Sequence, residues 1–479
     1  MKPHLFYIAI LFTAPVFANT PEPNIPDKTD IYQPMPEPQK LADTPPKDAA
    51  QQMALDVSEQ DLLNNPPLLQ QALYASVLNN HVNAIALLLP LYEQLPSEYH
   101  AGSNNEMLLL LARASLAKEN GKHLDAIGFY KKALAQDPNI HAARFALAQS
   151  FFNDKQYRHA KAEFDKLKDT PNLPQEIQVA IGYYLGAIDK KDDWQISISG
   201  NYTQDKNITN SPDYKTVNFG YGEWTLPKQE SAQGLSYQLS ASKDIHLDGR
   251  WHTKSEFDLY GKWYWDNHDY DDMTVRASSG LSYQTAKHEL AITPYFERRI
   301  YADNGYSREM GVRGEISTHL TNRHRLRLFG EYGNEDYDDR PRLDGHRRQA
   351  GASWLWLQNS KQYWTLSADF SHKDAHDLSE AYYRRSLRLG WVHSWGNTNT
   401  ALSLSVARRH FTDPKVMFLV PTIHRKDMEY HTSLSIWDNR ISFWGITPRL
   451  VGTYQRVDSN HPFYDYDKHH VFVQLSKSF

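Results

Sequence analysis

The sequence predicts an α+β multidomain chain: an N-terminal α-helical solenoid followed by a 14-stranded antiparallel transmembrane β-barrel. Three observations carry this reading. Small and aromatic residues recur at a 34-residue spacing between Ala114 and Leu167, apolar residues alternate with period two from Trp194 onward, and short turns alternate with long loops along that second part. Composition excludes most other classes. The 479 residues exceed one ordinary domain of roughly 100–200. A formal charge of −5, from 52 Lys+Arg against 57 Asp+Glu, removes the electrostatic basis for a nucleic-acid partner. Mean hydropathy of −0.66 excludes a bundle of transmembrane helices, which needs repeated apolar runs of about 20 residues. A barrel survives that filter, because its lipid-facing and lumen-facing residues average to a soluble-looking mean. The chain holds 29 Tyr, 12 Trp and 19 Phe but no Cys, so disulfides, thiolate metal sites and a Cys nucleophile are excluded.

Residues 1–18 read as a secretory signal peptide: Lys2, an apolar stretch from Leu5 to Phe17, and a small-residue cleavage signal ending at Ala18. Export to a Gram-negative envelope follows. Residues 19–54 hold Pro21, Pro23, Pro26, Pro34, Pro36, Pro38, Pro45 and Pro46 among charged and polar residues. With almost nothing apolar to bury, this segment is expected to be a disordered tether.

Residues 55–193 are expected to form a periplasmic helical domain. Apolar spacing from Asp61 to Leu95 predicts short helices, interrupted at Pro66-Pro67 and at Pro90. Ala114, Ala126, Tyr130 and Ala133 are then matched by Ala148, Ala160, Phe164 and Leu167, with Gly121 between the first helices and Pro138 closing the unit. This is the tetratricopeptide (TPR) period, in which small residues let paired helices approach and an aromatic fills the gap between units. A stable stack needs three or more repeats, so the helices at 55–100 and 174–190 are expected to flank the two clear ones. Such solenoids bind peptides and proteins. The charged run 190–193 ends this part.

Residues 194–479 read as the barrel. Trp194, Ile196, Ile198, Gly200 and Tyr202 alternate with polar neighbours, as do Leu235, Tyr237, Leu239 and Ala241, and Phe257, Leu259, Gly261 and Trp263. These segments are long enough to cross a bilayer when tilted. Short turns are expected at 246–250, 285–287, 321–323, 358–360, 396–399 and 438–440. Longer loops are expected at 204–233, 265–271, 301–306, 335–345, 373–380, 412–425 and 457–467. These thirteen connections join fourteen strands, an even count that places both ends on one side. Residues 215–225 are assigned to the first long loop, as a short hairpin arm or a lumen-folded segment, rather than to a fifteenth strand. The last strand alternates Val471, Val473 and Leu475 and ends at Phe479, a closing-strand signal for insertion. Trp263, Tyr264 and Trp265 lie where a strand leaves the membrane and read as an aromatic belt at the headgroups.

Other constellations carry less. His469-His470 near Asp465 and Asp467, and His268 between Asp266 and Asp269, fall at strand–loop junctions, with no Gly-x-Ser-x-Gly elbow and no His-Glu-x-x-His beside them. Catalytic, cofactor-binding and metal sites are therefore all read as none. Asp336, Asp338 and Asp339, and Asp269, Asp271 and Asp272, are solvated loop acids that could bridge divalent ions to lipopolysaccharide. Arg313, Arg325, Arg327, Arg388 and Arg409 fall on expected lumen faces opposite Glu256, Glu297, Glu315, Glu331 and Glu429.

Several blocks in order, LLNNPPLLQQALYASVLNN, the repeat unit, EWTLPKQ at 223–229, KDMEYHTSLSIW at 426–437, GITPRL at 445–450 and the closing FVQLSKSF, resemble the Slam family, the surface lipoprotein assembly modulators of the type XI secretion system. The resemblance implies an outer-membrane translocon, not an enzyme, that moves cargo to the cell surface. It implies as partners a surface lipoprotein, such as a transferrin- or haemoglobin-binding receptor, or a secreted haemophore; a periplasmic chaperone carrying that cargo is the expected alternative partner of the helical domain. Outer-membrane lipid, lipopolysaccharide and the barrel assembly machinery complete the expected partners. The alternatives are a TPR-bearing exopolysaccharide export barrel and a passive porin.

Overall fold

A computed structural model describes residues 58–171, 173–218, 223–226, 228–415 and 422–478. The expected signal peptide and tether, and the terminal Phe479, lie outside them. Among these residues eight α-helices come first: α1 (Glu59–Leu63), α2 (Pro66–Leu78), α3 (Val82–Glu93), α4 (Ser103–Glu119), α5 (His123–Gln136), α6 (His141–Asn153), α7 (Tyr157–Lys168) and α8 (Gln175–Asp189). They share two apolar cores. One joins α1–α3 to α4 through Leu69, Leu73, Ile85 and Leu108, and the other runs from α4 to α8. Helix α4 contributes to both and so couples the stack. Pro66 sits at the start of α2, where its missing N–H is harmless, and Asn65 caps that helix by accepting from the Leu68 N–H.

Pro90 is a correction. The sequence suggests a break there, yet it lies inside α3. A proline within a helix costs about 3 kcal/mol, and burial of Ile85, Leu88, Leu89, Leu91 and Tyr92 on the same helix offsets it.

The second part is a closed antiparallel barrel. Its strands are β1 (Gln195–Asp205), β4 (Ala232–Asp248), β5 (Trp251–Tyr264), β6 (Asp272–Gln284), β7 (His288–Tyr301), β8 (Asn304–Thr321), β9 (His324–Tyr337), β10 (Gly345–Asn359), β11 (Gln362–Lys373), β12 (Tyr382–Trp395), β13 (Thr398–Phe411), β14 (Lys426–Asp438), β15 (Arg449–Ser459) and β16 (Tyr466–Ser478). Each strand pairs with its chain neighbour, and β1 closes the ring between β4 and β16. The two short strands β2 (Thr216–Asn218) and β3 (Glu223–Thr225) form a separate hairpin in the first long loop. Fourteen wall strands and the hairpin arm agree with the sequence-based prediction.

Side-chain direction follows the pleat. Ile292, Met310, Leu387 and Val473 point outward and are exposed, whereas Glu297, Glu309, Arg347 and Arg384 point inward and are buried. This inverts a soluble sandwich and is the pattern of a wall seated in lipid.

Two connections differ from expectation. The segment 301–306 is not a long loop but a two-residue turn, with Ala302 and Asp303 at φ 51° and 59°, the positive pair that a tight hairpin of primed type requires. Conversely, 438–440 is not a short turn: Asp438 accepts from the Arg440 N–H at 2.9 Å, but β15 starts only at Arg449. Gly445 adopts φ 78°, and Pro448 has no N–H to give a ladder. Together they delay the strand.

Candidate functional site at the barrel mouth

Among the described residues, the helices meet the barrel at one rim. The α6–α7 turn places Lys155 at φ 65°, a left-handed conformation that brings Asp154, the Lys155 carbonyl and Tyr157 together on one side. The β4–β5 turn faces them, with Gly249 at φ 55° presenting Arg250. Arg250 Nε and Nη2 donate to Asp154 Oδ2 and Oδ1 at 2.7 and 2.9 Å, a fork-to-carboxylate geometry. Asp154 is only 2% exposed and also accepts from Gln156 Nε2 at 2.7 Å. Arg250 is itself held by Tyr283, whose hydroxyl accepts from Nη1 at 3.1 Å. The His252 ring nitrogen Nε2 lies 3.2 Å from the Lys155 carbonyl. The Tyr157 ring meets His246 and His252 edge-on, at centroid distances of 6.2 and 5.9 Å. Burial pushes the Tyr157 phenol up, so it stays neutral at this contact.

Beside this joint is a cavity of about 140 Å³. Lys155, Tyr157 and Lys191 wall it on the helical side, and Asp244, Glu289 and Arg325 on the barrel side. The barrel residues are inward-facing, since their neighbours Ile245 and Leu290 are exposed on the outer wall. The cavity therefore lies between the helices and the lumen. Burial, followed by the nearby Lys191, pulls the Lys155 ammonium below its usual range, against the pull of Glu289.

Deeper in the lumen the charges are cross-braced. Arg276 reaches Glu331 at 2.8 Å and lies 3.7 Å over the Tyr295 ring. Arg313 reaches the same Glu331 at 3.1 Å, and Arg327 reaches Glu315 at 3.2 Å. The Tyr295 hydroxyl donates to Glu309 at 2.6 Å, and Arg347 donates to its other oxygen at 2.7 Å. Arg384 and Arg409 share Glu429 at 2.9 and 2.8 Å. Among the described residues these opposite-sign pairs alternate along the wall and keep it polar. Of the lumen residues proposed from sequence, Arg313, Arg327 and Arg409 enter these pairs. Arg325 instead donates to Ser317 at 2.8 Å.

The remaining sequence-predicted positions are placed as follows. Ala114, Ala126, Ala133, Ala148, Ala160 and Phe164 have no exposed surface, and Tyr130 is buried. Phe164 stacks on Tyr184 of α8 at 4.9 Å. Gly121 adopts φ 67° after α4, and a Cβ there would sit 3.9 Å from Lys287 of the barrel. Pro138 is exposed in the α5–α6 turn, and its carbonyl accepts from Arg144 at 2.8 Å. At the opposite rim Trp263 and Trp265 are exposed with ring centroids 6.1 Å apart. Tyr264 does not share their face. It is 3% exposed and packs on Ile208 and Ala232, because one step along a strand reverses the side chain. Val471, Val473 and Leu475 are exposed on the outer wall.

The His268 cluster serves as a turn brace. His268 Nδ1 lies 2.9 Å from Asp271, whose other oxygen accepts from the Tyr264 N–H. Asp465 pairs with Arg456 at 2.7 Å. No spacing in the sequence points to the Asp154–Arg250 joint, whose members lie 96 residues apart in two ordinary turns.

Residues 194–479 match the model of a family described as surface lipoprotein assembly modifier, and residues 55–164 match that of its N-terminal TPR repeats. The surface lipoprotein assembly modifier 1 of Haemophilus influenzae strain Rd is 34% identical over 467 residues, spanning 96% of this chain and 91% of that protein. Its namesake in Neisseria meningitidis serogroup B is 31% identical over 428 residues, 89% and 86% of the two chains. The hemophilin secretion modulator of Acinetobacter baumannii is 26% identical over 451 residues, 89% of each.

Proposed function

The chain belongs to the surface lipoprotein assembly modifier family, whose members serve cargo export at the outer membrane, and from that premise we propose that it captures its cargo in the periplasm and hands it to the barrel. Residues 1–18 direct export, residues 19–54 tether the helical domain, and that domain faces the periplasm. The helical stack receives a partly unfolded surface lipoprotein, or a chaperone carrying it. Receptors for transferrin or haemoglobin fit the family name, and a soluble haemophore fits the relative named for hemophilin secretion. Folding of the cargo outside, or transfer of its lipid, supplies the driving force.

The observation that carries this reading is the joint at Asp154 and Arg250. A protein-binding solenoid seated at a lumen mouth, with a cavity walled by both parts, is arranged for handover. A porin passing small solutes has no use for it. The test is reconstitution of the full chain in liposomes with one unfolded cargo. Cargo gaining protease protection across the bilayer is the expected result; cargo that stays accessible, or conductance to small solutes without cargo movement, would count against it. Protease shaving of intact cells should spare the helices and cut the far-rim loops.

A further inference from the structure

One ladder of the barrel wall is unlike the rest. β1 pairs with β4 along its whole length, from Gln195↔Ser242 to Asp205↔Ala232. On its other side, among the described residues, it pairs with β16 only from Ser197↔Ser478 to Asn201↔Gln474. Beyond Asn201, toward the rim away from the helices, the ladder stops and side chains take over. Lys468 Nζ donates to Asp205 Oδ2 at 3.0 Å, His470 Nδ1 lies 3.1 Å from the Gln204 carbonyl, and the Tyr214 hydroxyl donates to the Pro462 carbonyl. These groups latch the seam from within. Outside it, Ile198, Tyr202, Val471 and Val473 face lipid, Val471 with 76% of its surface exposed. This junction joins the two ends of the wall, so no turn ties its strands together at either rim.

We propose that the half of this seam away from the helices is a lateral slot that takes the acyl chains of a lipid-bearing polypeptide, while the polypeptide itself stays in the bore. This rests on the export reading above and deepens it. The physical reason is that such a cargo is of two solvents. Its peptide groups find no partners in hydrocarbon, and its acyl chains gain nothing from a wall of paired Arg and Glu side chains. Only a route that keeps each part in its own medium avoids both penalties. The chain supplies one: a charged lumen, an apolar exterior, and between them a boundary held by latches rather than by a continuous backbone ladder. Helix α8 ends at Asp189 and β1 begins at Gln195, so the helical domain connects directly to one lip of the seam. The Asp154–Arg250 joint keeps that domain on the β4–β5 side, away from β16.

The chain has no cysteine, which makes the test clean. Asp205→Cys with His470→Cys places thiols across the far half of the seam, where the His470 ring lies 3.1 Å from the Gln204 carbonyl. Ser255→Cys with Ser279→Cys does the same across β5 and β6 as a control. Each full-length protein is reconstituted, oxidised, and assayed before and after reduction. The probe is a lipoprotein whose surface display is lost on deleting this gene, used triacylated and with its lipid-bearing cysteine replaced by serine. The expected result is that the oxidised seam pair lowers transfer of the acylated form at least tenfold, reductant restores it, and the serine form is unaffected throughout. The control pair should change neither. Undiminished transfer of the acylated form through the oxidised seam overturns the slot, as does equal loss of both forms. A reduced protein that moves neither form would instead sink the export reading itself.

Discussion

At the residue scale the joint between the two parts depends on one buried carboxylate. Asp154 gave up its hydration for the Arg250 fork and the Gln156 amide, and a charge buried that way is destabilised strongly when a partner is removed. Arg250→Ala is expected to weaken docking by about 3–5 kcal/mol. Arg250→Ala with Asp154→Leu should recover much of it, because no stranded charge remains. A double-mutant cycle reading hydrogen exchange at the β4–β5 turn checks the sign and size of the coupling. Protonation should act on the same contact. Burial holds the His123 imidazole below its ordinary range, with Asp154 opposing and Lys118 and Lys287 adding to the shift. A base with a lowered pKa in the folded state binds its proton more tightly when released. Its contribution is complete above the ordinary histidine value of about 6.5 and falls away as the pH drops through it. Exchange at the His123 turn should therefore rise between pH 7 and 5, and His123→Gln should flatten that dependence.

At the element scale, the helical units rest on small residues for approach and on Phe164 for filling. Phe164 is fully buried and stacks on Tyr184, so Phe164→Ala removes a ring that links α7 to α8. The expected loss is about 3–5 kcal/mol, lowering the helical melting midpoint by roughly 10 °C. Circular dichroism at the helix band of the full chain measures it, and an unchanged midpoint would mean that α8 repacks. These positions were legible because a repeat writes the same small and large residues twice. The barrel was legible for a similar reason: its pleat writes apolar and polar residues alternately, and a slip of one would have turned Val471, Val473 and Leu475 inward. What has no period was not legible. Tyr301-Ala302-Asp303-Asn304 announces a two-residue turn only at Asp303, a residue that tolerates positive φ, and not at Ala302, which takes φ 51° without being glycine. Pro90 reads as a break because local propensity cannot register the five buried side chains that hold α3 together. The joint was invisible because Asp154 and Arg250 lie in unrelated turns, and only the folded chain brings them together.

For the whole molecule, the two parts are built on different solvents and should fail independently. Among the described residues, the helices bury their own two cores and touch the wall at its near rim. Apart from the far half of the β1–β16 seam, where side chains take over, the barrel satisfies its backbone groups within its own ring, from β1 through β4 to β16 and back to β1. In lipid that closure is decisive, because an unpaired strand edge there leaves each N–H and C=O without a partner. None of those ladders passes through a helix. Removing residues 58–190 while keeping the export signal is accordingly expected to leave a folded barrel in the membrane. It should show the heat-dependent migration in detergent gels that is expected of the full chain. Cargo display should fall to background, since the rim would lose the surface that receives the polypeptide, and supplying the helices on a separate chain should not restore it fully, because β1 would no longer be tied to α8 by five residues. A truncated chain that never reaches the heat-modifiable form would show instead that Asp154 and its neighbours act earlier, by bringing the β4–β5 turn into place while the wall is closing.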